Sequence, residues 1–158
     1  MDDIQLVHLH QIAPQALIDL MNHPRVRQYL PLLKGDFTEQ DCQAFLKAKQ
    51  KLWDEDGYGP WAILINGHFA GWGGLQKEEG DADFALILHP DYWGWGRRVF
   101  HHLVDQAFIE LKLTSITILL PPYRPNAKAL QRLGFVKEGE LVVGGETFLR
   151  FRLQRPDG

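Results

Sequence analysis

Cysteine is almost missing from this sequence: Cys42 is the only one. No intrachain disulfide can form, and a reducing, cytoplasmic setting is expected. Cys42 lies on a helical pattern without a motif partner, so it reads as core or surface filler before it reads as a nucleophile. Long apolar runs are missing as well. None approaches the ~18 residues that a membrane span needs, and Met1-Asp2-Asp3 lacks the basic-then-apolar order of a secretory signal. An excess of basic charge is also lacking: 17 Lys+Arg stand against 20 Asp+Glu, a net charge of -3. That balance offers nucleic acid no electrostatic footprint. No repeat, low-complexity tract or Ser/Gly linker interrupts the chain. The expectation is one domain over residues 1–158, monomeric or homodimeric, with neither membrane nor nucleic acid as partner. With 45% apolar residues, a chain of this length buries about two thirds of its unfolded surface and needs no staples.

What is present alternates between two grammars. Residues 4–9 read as a strand, and Ala13-Pro14 opens a helix with Ala16, Leu17, Leu20 and Met21 at helical spacing. A shorter helical piece spans Val26 to Leu30. Thr38-Glu39-Gln40-Asp41 is an N-cap followed by an acidic first turn. After Gly57-Tyr58-Gly59-Pro60 the strands begin: Trp61 to Ile65, the hairpin pair Asn66-Gly67, then His68 to Leu75. Lys77 to Asp81 reads as a polar turn, and Phe84 to Leu88 as a central strand, being nearly all apolar. A helix follows with Val99, Phe100, Leu103, Val104, Ala107, Phe108 and Leu111 along one side. Ser115 to Leu120 is another buried strand, stopped by Pro121-Pro122. Ala127 to Leu133 is a short helix, and Val136–Val143 pairs with Thr147–Leu153 around Gly144-Gly145. The fold class is mixed α/β (α+β): six to seven strands, antiparallel for most of the width, with about four helices.

The segment that carries chemistry is His89-Pro90-Asp91-Tyr92-Trp93-Gly94-Trp95-Gly96-Arg97-Arg98. It joins a buried strand to the start of an amphipathic helix. Two glycines there permit a tight turn whose N–H groups face one point, where the helix dipole favours an anion such as a pyrophosphate. The Lys-Ser/Thr of a P-loop is absent, and Val99 occupies the last glycine's place of a dinucleotide fingerprint.

Pro90 to Gly96 resembles the Pro-Glu-Tyr-Trp-Gly-Lys-Gly form of the phosphate loop in GNAT acetyltransferases, in particular their ribosomal-protein N-terminal acetyltransferase branch. It is similar to the family pattern Gln/Arg-x-x-Gly-x-Gly/Ala, with Trp93 at the first place, Gly96 at the glycine and Arg98, a departure, at the last. Trp61–Leu75 and Asp83–Leu88 resemble that branch's second to fourth strands, and Asn126–Phe135 its segment ending Leu-Gly-Phe. The resemblance spans residues 5–153. It implies a GNAT fold splayed between the fourth and fifth strands, with acetyl-CoA as co-substrate, no metal, and an amine acceptor, either a protein N-terminus or a small molecule.

Carried over residue by residue, it implies that the backbone at Leu86 and Leu88 pairs with the pantetheine arm. Amides and side chains from Trp93, Gly94, Trp95, Gly96, Arg97 and Arg98 hold the phosphates, and Asn126 also touches the cofactor. Asp83 matches an acidic position of the branch and is the first candidate for general base. Leu130 stands where many members carry a tyrosine acid, which leaves Tyr123 as the substitute. His89 ends the strand leading to the cofactor, as a proton shuttle or a structural residue. Bland readings stand beside these. Trp93 and Trp95 can be packing aromatics, Arg97 and Arg98 a solvated helix start, and Glu78, Glu79 and Asp81 either keep a hairpin soluble or attract a cationic amine. His101 and His102 are adjacent and point to different sides of a helix, so they form no metal pair. The rival function is a non-catalytic acyl-CoA sensor.

Overall fold

The computed structural model describes residues 3–124 and 127–156. Its elements are β1 (Ile4–Val7), α1 (Pro14–Asn22), α2 (Pro24–Arg27), α3 (Glu39–Asp56), β2 (Pro60–Ile65), β3 (His68–Glu78) and β4 (Asp81–Leu88). These are followed by α4 (Gly96–Asp105), β5 (Ser115–Leu120), α5 (Ala127–Arg132), β6 (Val136–Val143) and β7 (Glu146–Gln154). Local chemistry sets several boundaries. The Thr38 hydroxyl accepts the Asp41 N–H at 3.1 Å while the Asp41 carboxylate accepts the Thr38 N–H at 2.9 Å, a reciprocal cap that starts α3. Asn66-Gly67, at φ 51° and 84°, turns β2 back into β3.

The strands form one seven-stranded sheet in the order β1-β2-β3-β4-β5-β7-β6. Only β4 and β5 run parallel. Among the described residues five α-helices cover it, α2 being the short separate piece. One face carries the apolar sides of α4 and α5, with Val99, Phe100, Leu103 and Leu130 packed on Ile63, Phe84, Ile116 and Phe151. The other carries α1 to α3, with Leu17, Leu20 and Cys42 over Ala62 and Trp72. Cys42 is fully buried and belongs to the core.

Several boundaries differ from the sequence reading: α2 lies at Pro24–Arg27 instead of Val26 to Leu30, and α4 gives way after Asp105 to a π-helical turn over Gln106–Glu110. β3 and β4 extend to Glu78 and back from Asp81, joined by Glu79-Gly80 at φ 48° and 87°. Gln76, Asp81 and Asp83 hide the strand because they are polar, yet Gln76 and Asp83 face each other across the ladder and both lie under cover. β1 is shorter than expected, ending at Val7 before a turn of 3-10 helix over Leu9–Gln11.

The feature that shapes the site is the β4–β5 seam. Pairing between these strands is confined to Asp83↔Thr117 and Phe84↔Ile118. β4 then continues for four residues and β5 for two, and Pro121 closes β5 because proline cannot extend a ladder. The sheet is open along this edge.

Candidate active site

The open edge presents backbone to the notch. The His89 N–H donates to the Ala70 carbonyl at 2.8 Å, and the β3–β4 register runs unbroken from Gly71↔Leu88 to Glu78↔Asp81. Hydrogen-bonded pairs alternate in an antiparallel ladder, so Leu86 and Leu88 turn their N–H and C=O groups away from β3, toward β5. Leu86 meets no ladder partner there among the described residues. The Leu88 carbonyl does have one: it accepts the Trp93 indole N–H at 2.8 Å.

Pro90–Trp95 is a 3-10 segment that runs straight into α4 at Gly96. Gly94 and Gly96 do not adopt positive φ, and Gly96 is helical at φ -52° and ψ -44°. The glycines therefore do not make the tight turn that the sequence suggests. Their use is spatial: a Cβ added at either would meet nothing within 4 Å, so the backbone is bare toward open space. No side chain caps the start of α4; the preceding 3-10 segment runs into it, and the Gly96 N–H donates to the Trp93 carbonyl. The Arg98 guanidinium lies 3.6 Å over the Trp95 ring, and both Arg97 and Arg98 are exposed beside this helix start. Trp93 is a packed aromatic. The Arg25 guanidinium sits 4.7 Å over its ring, and the Tyr29 ring lies 6.5 Å away. Tyr29 reaches across to the far side of the notch, stacking with Tyr123 at 6.3 Å under the Arg124 guanidinium at 4.4 Å. Tyr123 is 58% exposed at the exit of β5. Asn126 lies outside the described residues.

Asp83 occupies the last turn of the seam before the strands part. Thr117 Oγ1 donates to its Oδ1 at 3.0 Å. Burial pushes the Asp83 carboxyl up to about 7, the negative charges of Glu78 and Asp81 adding to the rise while the Thr117 hydrogen bond and Arg150 oppose it. Around it runs a polar band on the α3 side of the sheet that sequence reasoning missed. Lys49 reaches from α3 to hydrogen-bond the Gln76 side chain, and burial holds its ammonium below the usual lysine range. Arg150 and Arg152 of β7 both bind the Asp81 carboxylate, Arg152 at 3.0 Å, and Arg152 also binds Glu138 at 2.8 Å. The Arg152 hydrogen bond, first of all, keeps the Asp81 carboxyl below the ordinary carboxylate range. Asp81 is thus tied down by arginines and is neither solubiliser nor lure, while Glu78 and Glu79 remain exposed on the turn. A signal existed in the alternation Arg150-x-Arg152, which puts both cations on one strand face.

Residues 5–136 match the Acetyltransferase (GNAT) domain family. The chain belongs to the GNAT acetyltransferases. Solved structures agree on the fold. An acetyltransferase from Agrobacterium tumefaciens str. C58 superposes at a TM-score of 0.78 with 19% identity, covering 96% of this chain and 90% of that one. A GNAT-family acetyltransferase from Bacillus anthracis gives 0.70 at 19% identity, with 96% and 92% covered. A spermidine N-acetyltransferase chimera from Vibrio cholerae and hSSAT gives 0.72 at 18% identity, with 96% and 95% covered.

Two further residues of this GNAT domain are placed by the structure. Leu130 is buried in the α4–α5 layer and is part of the core. His89 accepts the Asp91 N–H on Nδ1 at 3.1 Å and packs edge-on against His23 at 5.0 Å, which caps α2 in the same way through Arg25. The repeated His-Pro dipeptides are therefore a matched pair of caps. His89→Ala is expected to cost about 1 kcal/mol in urea unfolding, the usual loss of a side-chain cap, and His89→Asn to recover most of it. If His89→Asn restores stability but not turnover, His89 has a role in proton transfer as well. Among the described residues no group of three or more metal-ligating side chains comes together, and no helix is long and apolar enough to cross a membrane.

Proposed function

We propose that the protein transfers acetyl from acetyl-CoA to a primary amine while both are bound, with Asp83 as the general base. The observation that carries this is the placement of Asp83: its carboxyl, held by the Thr117 hydroxyl and pushed up to about 7 by burial, lies where β4 and β5 part. The open edge fits the co-substrate. Leu86 offers backbone groups to a pantetheine arm, the bare backbone at Gly94 and Gly96 admits phosphates, and the uncapped start of α4 with Arg97 and Arg98 supplies positive potential. Because Trp93 already occupies the Leu88 carbonyl, Leu88 contributes its N–H and Leu86 both of its groups. Bound there, acetyl-CoA supplies an activated thioester carbonyl.

The chain's own residues then do three things. The notch and the polar band hold the two reactants side by side, which removes the entropic cost of a bimolecular encounter. Asp83, about half ionised at neutral pH, accepts the proton that the ammonium must lose before its nitrogen can attack. Tyr123, beyond the end of β5, donates to the departing sulfur. A CoA thiol has an ordinary pKa near 8.5, so this last proton helps without being indispensable. Tyr123→Phe is expected to lower kcat about tenfold with little change in acetyl-CoA affinity, and unchanged turnover would show that the thiolate leaves unaided.

The acceptor is a small-molecule polyamine or a protein N-terminus. Exposed Glu78 and Glu79 beside Asp83 favour a cationic amine, in keeping with the spermidine acetyltransferase among the similar folds. The resemblance of the phosphate loop to the ribosomal-protein branch supports a protein N-terminus. Release of free CoA thiol in the presence of polyamines and of N-terminal peptides decides between them. Release with neither, despite tight acetyl-CoA binding, would favour a sensor, the reading to which the buried Leu130 lends weight.

A further inference from the structure

We infer that Thr117 is a positioning residue for Asp83: its hydroxyl holds Oδ1 of the carboxylate and leaves Oδ2 to face the acceptor amine. This rests on the reading of Asp83 as the base and deepens it.

Thr117 interrupts an apolar run, Ser-Ile-Thr-Ile-Leu-Leu, in which Ile116, Ile118 and Leu120 turn to the α4 layer. Its own side chain turns to the opposite face, and the residue is 2% exposed. For packing alone a valine there would serve equally, being the same shape. A buried hydroxyl is tolerated only with a partner, and Thr117 has one, the Asp83 Oδ1 at 3.0 Å. The pair lies in register at one of the two rungs that still join β4 to β5, and on its other side Thr117 pairs with Arg152. Both backbones are therefore fixed where the hydrogen bond forms, one rung before the sheet opens. No second partner holds Oδ2 among the described residues. A hydroxyl that donates to a carboxylate favours its ionised form, so the same bond that aims the base also keeps it deprotonated at lower pH. Other charged groups surround Asp83: Glu78 from β3, Asp81 from β4 and Arg150 from β7, with Arg152 and Lys49 beyond. All of them remain in a Thr117 variant, which isolates the hydroxyl.

The test is a carbon-detected NMR titration of the Asp83 carboxyl in the full chain, with Thr117→Val and Thr117→Ser beside the parent. No acceptor is needed for this measurement. The parent is expected to titrate at about 7, Thr117→Val about one unit higher, a tenfold rise in proton affinity, and Thr117→Ser at the parent's value. Where turnover is measured with the best amine of the panel, the acid limb of kcat should move by the same unit in Thr117→Val and return in Thr117→Ser. A Thr117→Val carboxyl that titrates with the parent, or a kcat lowered equally at every pH, would overturn the inference and leave Asp83 standing as base. A parent carboxyl titrating near 4 would instead remove the support for Asp83 itself. Should Thr117→Val not fold, Thr117→Ala deletes the same hydroxyl with less bulk and is read by the same titration.

Discussion

Gly96→Glu is expected to abolish acetyl-CoA binding while leaving the protein folded. The site tolerates the side chain: Gly96 is already helical, and an added Cβ meets nothing within 4 Å. Glutamate is also a better helix former than glycine, and a carboxylate at a helix start is favoured by the dipole. Stability should hold or rise. The same carboxylate, however, would stand where the phosphates are proposed to lie and repel them. In the parent protein, acetyl-CoA at ~100 times its dissociation constant stabilises the fold by about 2.7 kcal/mol by mass action. In the variant the thermal-shift titration should be flat to millimolar ligand. A shift equal to the parent's would mean that the phosphates bind elsewhere.

Asp83→Asn should separate activity from stability in opposite directions. Removal of a general base lowers kcat by about 10²- to 10⁴-fold, while acetyl-CoA affinity stays near the parent's value because Asp83 lies outside the phosphate loop. Stability follows from linkage. The Asp83 carboxyl is raised to about 7 in the native protein, against about 3.9 when unfolded. Between those values the native state holds a proton that the unfolded chain has released. Stability therefore falls as pH rises through this window, by about 1.4 kcal/mol per unit, and levels off above 7. Asparagine carries no charge to desolvate and still offers Oδ1 to Thr117. Urea unfolding should accordingly find the variant more stable than the parent at pH 8, with little difference at pH 4. Equal stability at both pH values would show that Asp83 titrates as an ordinary carboxylate.

The parts legible in the sequence are those whose cause is local. Thr38 and Asp41 meet three residues apart, Asn66-Gly67 is its own turn, and Pro121 ends β5 without help from elsewhere. The candidate phosphate loop stands out in the sequence because its residues are contiguous, but Gly94 and Gly96 keep space clear there and do not bend the chain. What stayed hidden are side chains that acquire meaning through distant partners. Arg150 meets Asp81 across 69 residues and Thr117 meets Asp83 across 34. Periodicity reports which face a residue takes, not what waits on that face. The polar Gln76 and Asp83 even disguised the strands that hold them, since buried polar pairs break the apolar pattern on which strand recognition depends.

The narrow β4–β5 seam divides the molecule's ladders into two cooperative units. One is the meander β1 to β4, the other the trio β5, β7 and β6, and two rungs connect them. They are joined by the arginine bridges of β7 to Asp81, by Thr117 on Asp83, and by the apolar side of α4, which packs with Ile63 and Phe84 of the first and with Ile116 and Phe151 of the second. The joint is thus narrow in backbone rungs and held by side chains, polar on one face and apolar on the other. A ligand that hydrogen-bonded to β4 inside the notch and rested its far end on α4 would add a bridge to this joint, and hydrogen exchange is expected to slow on both sides of the gap when acetyl-CoA is added.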